Sequence, residues 1–275
     1  RLNAKDSYES EWMGGTFGDV EVSCISSDGR PIVGIMSYSG SHIDGLILVP
    51  AETDRTVLKR KADQLAQHYR FAEAVPLYSE LATAFPAESF YFLLHAEAVL
   101  ESGDVPAYQA LCHEALLRLE ESTDTVAARR VSKSCLLGPL AAADLKKACD
   151  LADKALAAQQ EAVNVVHARL GKGLAELRLG HYREAMGPLK QVIGTAVDSG
   201  APAPRQIEAA AWAAMAMAHQ GCGENTEARD ALEKASQIVK ENWPPSASAD
   251  LGVNWQEAVM AHILFTEAEK ILAQK

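Results

Sequence analysis

The pattern Phe71-x-Glu73-Ala74, followed by Tyr78, Leu81 and Pro86, returns twice further down the chain. It returns as His181-Tyr182-Arg183-Glu184-Ala185 behind Gly180, and as Glu227-Ala228 behind Gly223. A recurrence of this kind fixes the architecture. Each copy belongs to a helix pair that cannot bury its apolar face alone and must stack on its neighbours. The residue at the crossing of each second helix serves as a ruler. Ala74 and Tyr108 are 34 residues apart, and Ala148, Ala185 and Ala228 follow at gaps of 40, 37 and 43. The added residues fall where insertions in repeat arrays fall, in the loops.

From Ala51 onward Ala, Leu, Glu, Lys and Gln dominate, and apolar residues recur at three and four. The periodicity predicts helices over 53–69, 71–85, 88–102, 105–120, 124–136, 142–158, 163–179, 182–198, 204–221, 225–240 and 253–273. Gly103-Asp104, Gly138-Pro139 and Gly180-His181 are placed between paired helices, where a tight turn is needed. Two longer breaks, 198–204 and 243–248, extend individual units. Small residues at Gly173 and Ala216 let paired helices approach, while Trp212 fills space towards the next unit. Leu189, Leu232 and Tyr78 are the knobs one turn past the crossing residue.

These residues resemble the tetratricopeptide repeat family over about four-fifths of the chain, in roughly five units. Units one, four and five match best; in unit two Tyr108 stands where the family has a small residue, and unit three lacks the glycine–tyrosine turn pair. The expected fold is mainly α: a right-handed α-solenoid of about five helix pairs over 51–275, ending in a capping helix near Trp255 to Ala273. Five units and a closing helix describe a complete array. Three segments also resemble the repeat tail of large multidomain bacterial proteins, where such tails follow a serine/threonine kinase or a WD-repeat region. They are 103–112, 130–139 and 267–272. No Gly-rich nucleotide loop, His-Arg-Asp or Asp-Phe-Gly is present, so a kinase part would lie outside this chain. The chain begins at Arg1 rather than Met, which points to residues upstream.

Residues 1–50 have a different texture. Val20 to Cys24 alternates with period two, and 31–36 and 46–49 are short apolar runs between glycine turns. This is a small antiparallel β unit. It resembles one Greek-key unit of a β-prism, as in jacalin-like lectins and vitelline-membrane outer layer proteins. That resemblance implies a sugar site at Gly40, Ser41, His42 and Asp44, with Gly14-Gly15 as companion loop. The same glycines and Asp44 serve equally to build a turn. A lone unit exposes sheet edges and must dock, pair or belong to a larger prism.

Charge narrows the function. Lys plus Arg is 26 and Asp plus Glu is 37, a net charge of −11, which disfavours nucleic-acid and anionic-membrane binding. No apolar run reaches the roughly 18 residues of a spanning helix. The cysteines are five, widely spaced and without Cys-x-x-Cys, which fits a reducing, cytoplasmic setting without a disulfide frame. The eight histidines form no His-Glu-x-x-His, so neither a metal nor another cofactor is implied, and Cys112-His113 diverge on one helix rather than forming a nucleophile–base pair.

The expected role is therefore not enzymatic: a scaffold or adaptor that binds a protein or peptide in the groove lined by the first helix of each pair. The repeat positions place Lys59, Asp63, Phe90, Leu93, Glu97, Arg129, Lys133, His167, Leu170, Leu174 and Arg178 on that groove. Arg129, Lys133 and Arg178 could clamp a carboxylate there, or the same charges could form a solvated face. The alternatives are a carbohydrate-binding module and the regulatory tail of a larger enzyme.

Overall fold

A computed structural model describes residues 32–39, 43–50, 54–120, 122–158, 162–198, 205–243 and 250–274. Contacts divide the chain into two units that part between Val57 and Leu58. In the first, β1 (Ile32–Ser39) and β2 (Ile43–Pro50) pair antiparallel, from Ile32 opposite Pro50 to Ser39 opposite Ile43. The register slips between Ile32 and Gly34 and again between Tyr38 and Ser39. The expected strand at Val20 to Cys24 and the Gly14-Gly15 loop lie outside the described residues.

Eleven helices follow among the described residues: α1 (Asp54–Gln67), α2 (Phe71–Ala84), α3 (Ser89–Glu101), α4 (Val105–Arg118), α5 (Thr125–Cys135), α6 (Ala142–Ala158), α7 (Ala162–Arg178), α8 (Tyr182–Asp198), α9 (Arg205–Gly221), α10 (Asn225–Asn242) and α11 (Trp255–Ala273). Each expected helix is present, with ends that differ by at most two residues. The first helix of four pairs stops in the same way. Arg70, Asp104, His181 and Glu224 each donate a backbone hydrogen bond back five residues, to Leu65, Val99, Glu176 and His219. The residue before each donor is left-handed: Tyr69 at φ 61°, Gly103 at 86°, Gly180 at 78° and Gly223 at 78°. This is the Schellman stop, which glycine adopts at little cost. Tyr69 adopts it without being glycine, and its ring is held edge-on against Trp243 with centroids 5.1 Å apart.

The third pair is joined differently. Tyr108, where the pattern has a small residue, is fully buried on α4 and reaches the end of α5. Its hydroxyl shares its proton between the carbonyls of Ser134 (2.7 Å) and Cys135 (2.8 Å) and accepts from the Gly138 amide at 3.0 Å. A Cβ on Gly138 would meet the Tyr108 ring at 2.8 Å. Gly138 is therefore a close-approach glycine. The substitution at position 108 exchanges helix contact for a polar clasp between the second and third pairs. Gly173 is the corresponding close approach between α7 and α8, since an added Cβ would lie 2.6 Å from Leu189, which is fully buried.

The first helices touch in series, α3 on α5, α5 on α7 and α7 on α9. The last helix departs from expectation. A terminal cap packs on the last pair and turns a polar face outward. α11 does pack on α9 and α10, but it also reaches α3. Ala258, Val259, Met260 and Ala261 are buried in succession, which on a 100° helical wheel means neighbours on every side. Trp255, 1% exposed, stacks on Tyr78 at 5.7 Å and leans on Phe71 at 6.1 Å. Trp243, just past α10, stacks on Phe71 at 6.5 Å and on His262 at 3.9 Å. Leu251 donates its amide to the Gln67 carbonyl at 3.0 Å. The chain's own last helix thus lies across the first helices and ties the fifth pair to the first.

Two substitutions test this packing in urea melts. Gly173→Ala is expected to cost about 1–3 kcal/mol by overpacking, whereas Gly187→Ala, with open space around its Cβ, should gain up to about 1 kcal/mol. Trp255→Ala should cost about 3–5 kcal/mol and speed amide exchange in α2 as well as in α11. Loosening confined to α9–α11 would return α11 to the role of a simple cap.

Candidate functional site: a cationic pocket beside the last helix

The seat taken by α11 decides where the expected groove residues end up. Arg178, in the last turn of α7, is wholly engaged in holding that seat. Its Nε donates to the Leu136 carbonyl at 3.0 Å and its Nη2 to the Leu137 carbonyl at 2.8 Å. Both terminal nitrogens also grip Glu267 of α11, Nη2 to Oε2 at 2.7 Å and Nη1 to Oε1. Bidentate pairs of this kind are the strong ones. Arg178 is thus committed to Glu267 and to the end of α5. His262 of α11 faces Glu101 of α3 at 3.0 Å as an ion contact.

Leu170 and Leu174 also differ from expectation. They are fully buried rather than facing an open groove, because the stripe they form on α7 supplies the core. Asp63 accepts from the Tyr78 hydroxyl at 2.7 Å and pairs with Lys59 at 2.5 Å. It joins α1 to α2 rather than standing free. Gly40, Ser41 and His42 lie outside the described residues, and Asp44 is placed only as a backbone position on β2.

The remaining expected residues converge. Phe90 and Leu93 of α3, Arg129 and Lys133 of α5, and His167 of α7 line one cavity of about 200 Å³. Arg130, Gln256 and Glu257 complete it, the last two supplied by α11. At the lip, the Phe90 ring carries the Arg130 guanidinium at 5.2 Å on one side and the Lys59 ammonium at 5.7 Å. Arg130 also donates to Ser89 Oγ at 3.2 Å. Arg130 is held over the aromatic face without a carboxylate partner among the described residues, whereas Lys59 is also paired with Asp63.

Inside, charges are close but loosely matched. Lys133 and Glu97 have side chains 4% and 0% exposed, yet their charged atoms are 3.9 Å apart. His167 Nε2 stands 3.8 Å from Glu257 Oε1. Both oxygens of Glu97, Oε2 of Glu257, Nε of Arg129 and Nδ1 of His167 are buried without a hydrogen-bond partner. Such groups are rare in folded proteins and expensive.

Burial and neighbouring charges shift the ionisable groups of the site. Burial pushes the Lys133 ammonium down, and Arg129 and Arg130 push the same way against Glu97 and Glu257. Burial, then Arg130, lowers Arg129. His167 is driven well below the usual imidazole range by burial and then by Lys133, Arg129 and Arg130. Burial raises Glu97 and Glu257 above the usual carboxylate range, with Lys133 opposing in both cases. A site in which cations discourage one another, while the carboxylates beside them are discouraged by burial, is short of anion.

Periodicity could find Arg129 and Lys133, one turn apart on one face. It could not find Arg130, which steps 100° away from Arg129 and joins the site only because Phe90 draws it. Nor could it find Gln256 and Glu257, whose helix reads as a terminal cap. No group of three or more potential metal ligands exists among the described residues. Cys112 is buried, whereas the His113 ring faces Asp144 at 3.0 Å. No described helix is long and apolar enough to cross a membrane.

No protein-family model matches the chain, and no curated protein matches it. Solved structures do align with it. One is a chain of nearly identical, kinesin-light-chain TPR-like repeats from Podosopora anserina, 15% identical, covering 70% of this chain and 98% of its own, with a TM-score of 0.44. Another is MamA from MSR-1, 20% identical, covering 69% of this chain and 99% of its own, with a TM-score of 0.39. A further MamA structure is 16% identical over 70% of this chain and 97% of its own, with a TM-score of 0.40.

Proposed function

We propose that this chain is a protein-interaction scaffold, and that an acidic segment of its partner enters at the lip formed by Lys59, Phe90, Arg130 and Arg129. The observation that carries this reading is the gathering of Arg129, Arg130 and Lys133 about one cavity, beside carboxylates that make no hydrogen bond to them, on a chain whose net charge is −11. A solvated face would not hold Arg129 Nε and Lys133 away from water. Closure of the groove by α11 leaves no path for a peptide to run along all five pairs. The partner therefore meets the array at one mouth rather than through an extended channel, and the recognition mode is acidic-motif capture by clustered cations.

Binding of a fluorescent Asp/Glu-rich peptide, followed by anisotropy, tests the lip. Arg130→Glu is the informative variant, because Arg130 is half-buried at the surface, whereas reversing buried Lys133 would attack folding first. Loss of one charge-assisted contact predicts a tenfold or greater weakening. Affinity capture by the full chain should lose its partners in the same variant. Equal binding by wild type and Arg130→Glu would remove the lip from the interaction.

A further inference from the structure

Resting on that reading of the pocket as a binding site, we infer that the cavity between α3, α5, α7 and α11 takes a phosphoryl group, the dianionic head of a phosphate monoester. Donor number and placement carry the inference. A carboxylate offers one charge and two oxygens in a plane. A phosphoryl group brings about −1.5 to −2 charges and three acceptor oxygens in a tetrahedral spread. Residues that carry donors line the cavity from three helices, Arg129, Arg130 and Lys133 on α5, His167 on α7 and Gln256 on α11, with Glu257 as the carboxylate among them. Arg129 Nε and His167 Nδ1, on two of these lining residues, have no hydrogen-bond partner within the protein.

The carboxylates already present do not fill this role. Glu97 stands 3.9 Å from Lys133 without a hydrogen bond, and Glu257 stands 3.8 Å from His167. Both are attached to helices whose positions are set elsewhere, α3 by its core stripe and α11 by Trp255 and the Arg178–Glu267 pair. Neither is within hydrogen-bond distance of its cation. A diffusible dianion is tied to neither helix. Burial of Lys133 and His167 lowers the local dielectric, so each contact made there is stronger than at a surface. The opening at the Phe90–Arg130 lip and the volume of about 200 Å³ suit a small ester or the tip of one phosphorylated side chain.

Thermal shift and calorimetry on the full chain decide it, at matched ionic strength and pH 7.5. The probes are inorganic phosphate, phosphoserine, a phosphoserine-containing acidic peptide and the same peptide unphosphorylated, with chloride as reference. Phosphate and phosphoserine should stabilise the wild type over chloride, and Arg129→Gln and Arg130→Gln should each weaken that binding about tenfold. Arg118→Gln, which removes an exposed cation paired with Glu114 on α4, should leave it unchanged. A phosphopeptide bound more tightly than phosphoserine supports a phosphorylated partner as the source, and equal binding supports a free ester. No stabilisation beyond chloride, or stabilisation that survives Arg129→Gln, overturns the inference. Tight binding of the unphosphorylated peptide with none of phosphate overturns it while leaving the scaffold reading intact. Failure of every probe removes both.

Discussion

The contact on which the rest depends is Trp255 against Tyr78 and Phe71. In an open repeat array each pair touches only its neighbours, and stability is a sum of local terms. Here an indole from the last helix is buried against the first complete pair, and Trp243 stands beside it on Tyr69 and Phe71. The array is thereby closed by its own chain. The same closure explains why Tyr69 occupies a left-handed position where the other turns use glycine. The ring has a partner in Trp243, and that contact offsets the roughly 1–2 kcal/mol that a side chain costs there.

Closure also creates the site. Without α11, Lys133, Glu97 and His167 would line an exposed groove and keep their water. With it they are buried, and Glu257 is delivered among them. Breaking a buried pair costs about 3–5 kcal/mol, yet replacing both members with apolar groups is often neutral or favourable. Stability alone therefore gives no reason to keep four ionisable groups and Arg129 at this place. The groups that do serve closure look different. Arg178 meets Glu267 with two parallel contacts and has its other donors on carbonyls. The pocket cations have no comparable partners. The contrast between a well-matched arginine and a mismatched cluster, on neighbouring helices of one fold, is what sets the pocket charges apart from those that serve structure.

What could be read from the chain divides along the same line. Helix number, helix ends, the glycine stops at Gly103, Gly180 and Gly223 and the close approach at Gly173 follow from local pattern, because each is decided within one pair. Tyr108 announced a departure, and the departure is its clasp on Ser134, Cys135 and Gly138. The seat of α11 was not legible. Its apolar residues satisfy a cap as well as they satisfy a surrounded helix, and only the run of four buried residues from Ala258 to Ala261 tells the two apart. The burial of Lys133 was not legible for the same reason. A lysine one turn from an arginine on a polar face is solvated unless something covers it, and the cover comes from a helix more than a hundred residues later.

The charge balance then sets how a ligand must arrive. With a net charge of −11 the chain repels anions at long range, so the pocket cannot gain from the electrostatic steering that basic proteins use. At physiological salt that repulsion is screened beyond about 8 Å. On the proposed reading, Arg130 and Arg129 at the lip then act before any contact with buried Lys133, and recognition is short-ranged and selective by fit. Under that reading an anion that cannot shed its water and pass Arg130 gains little from the surface and meets net repulsion outside it. A site of this kind discriminates by geometry at the cost of association rate. That trade suits a closed scaffold reading a particular acidic group more than it suits a sticky groove open to any acidic chain.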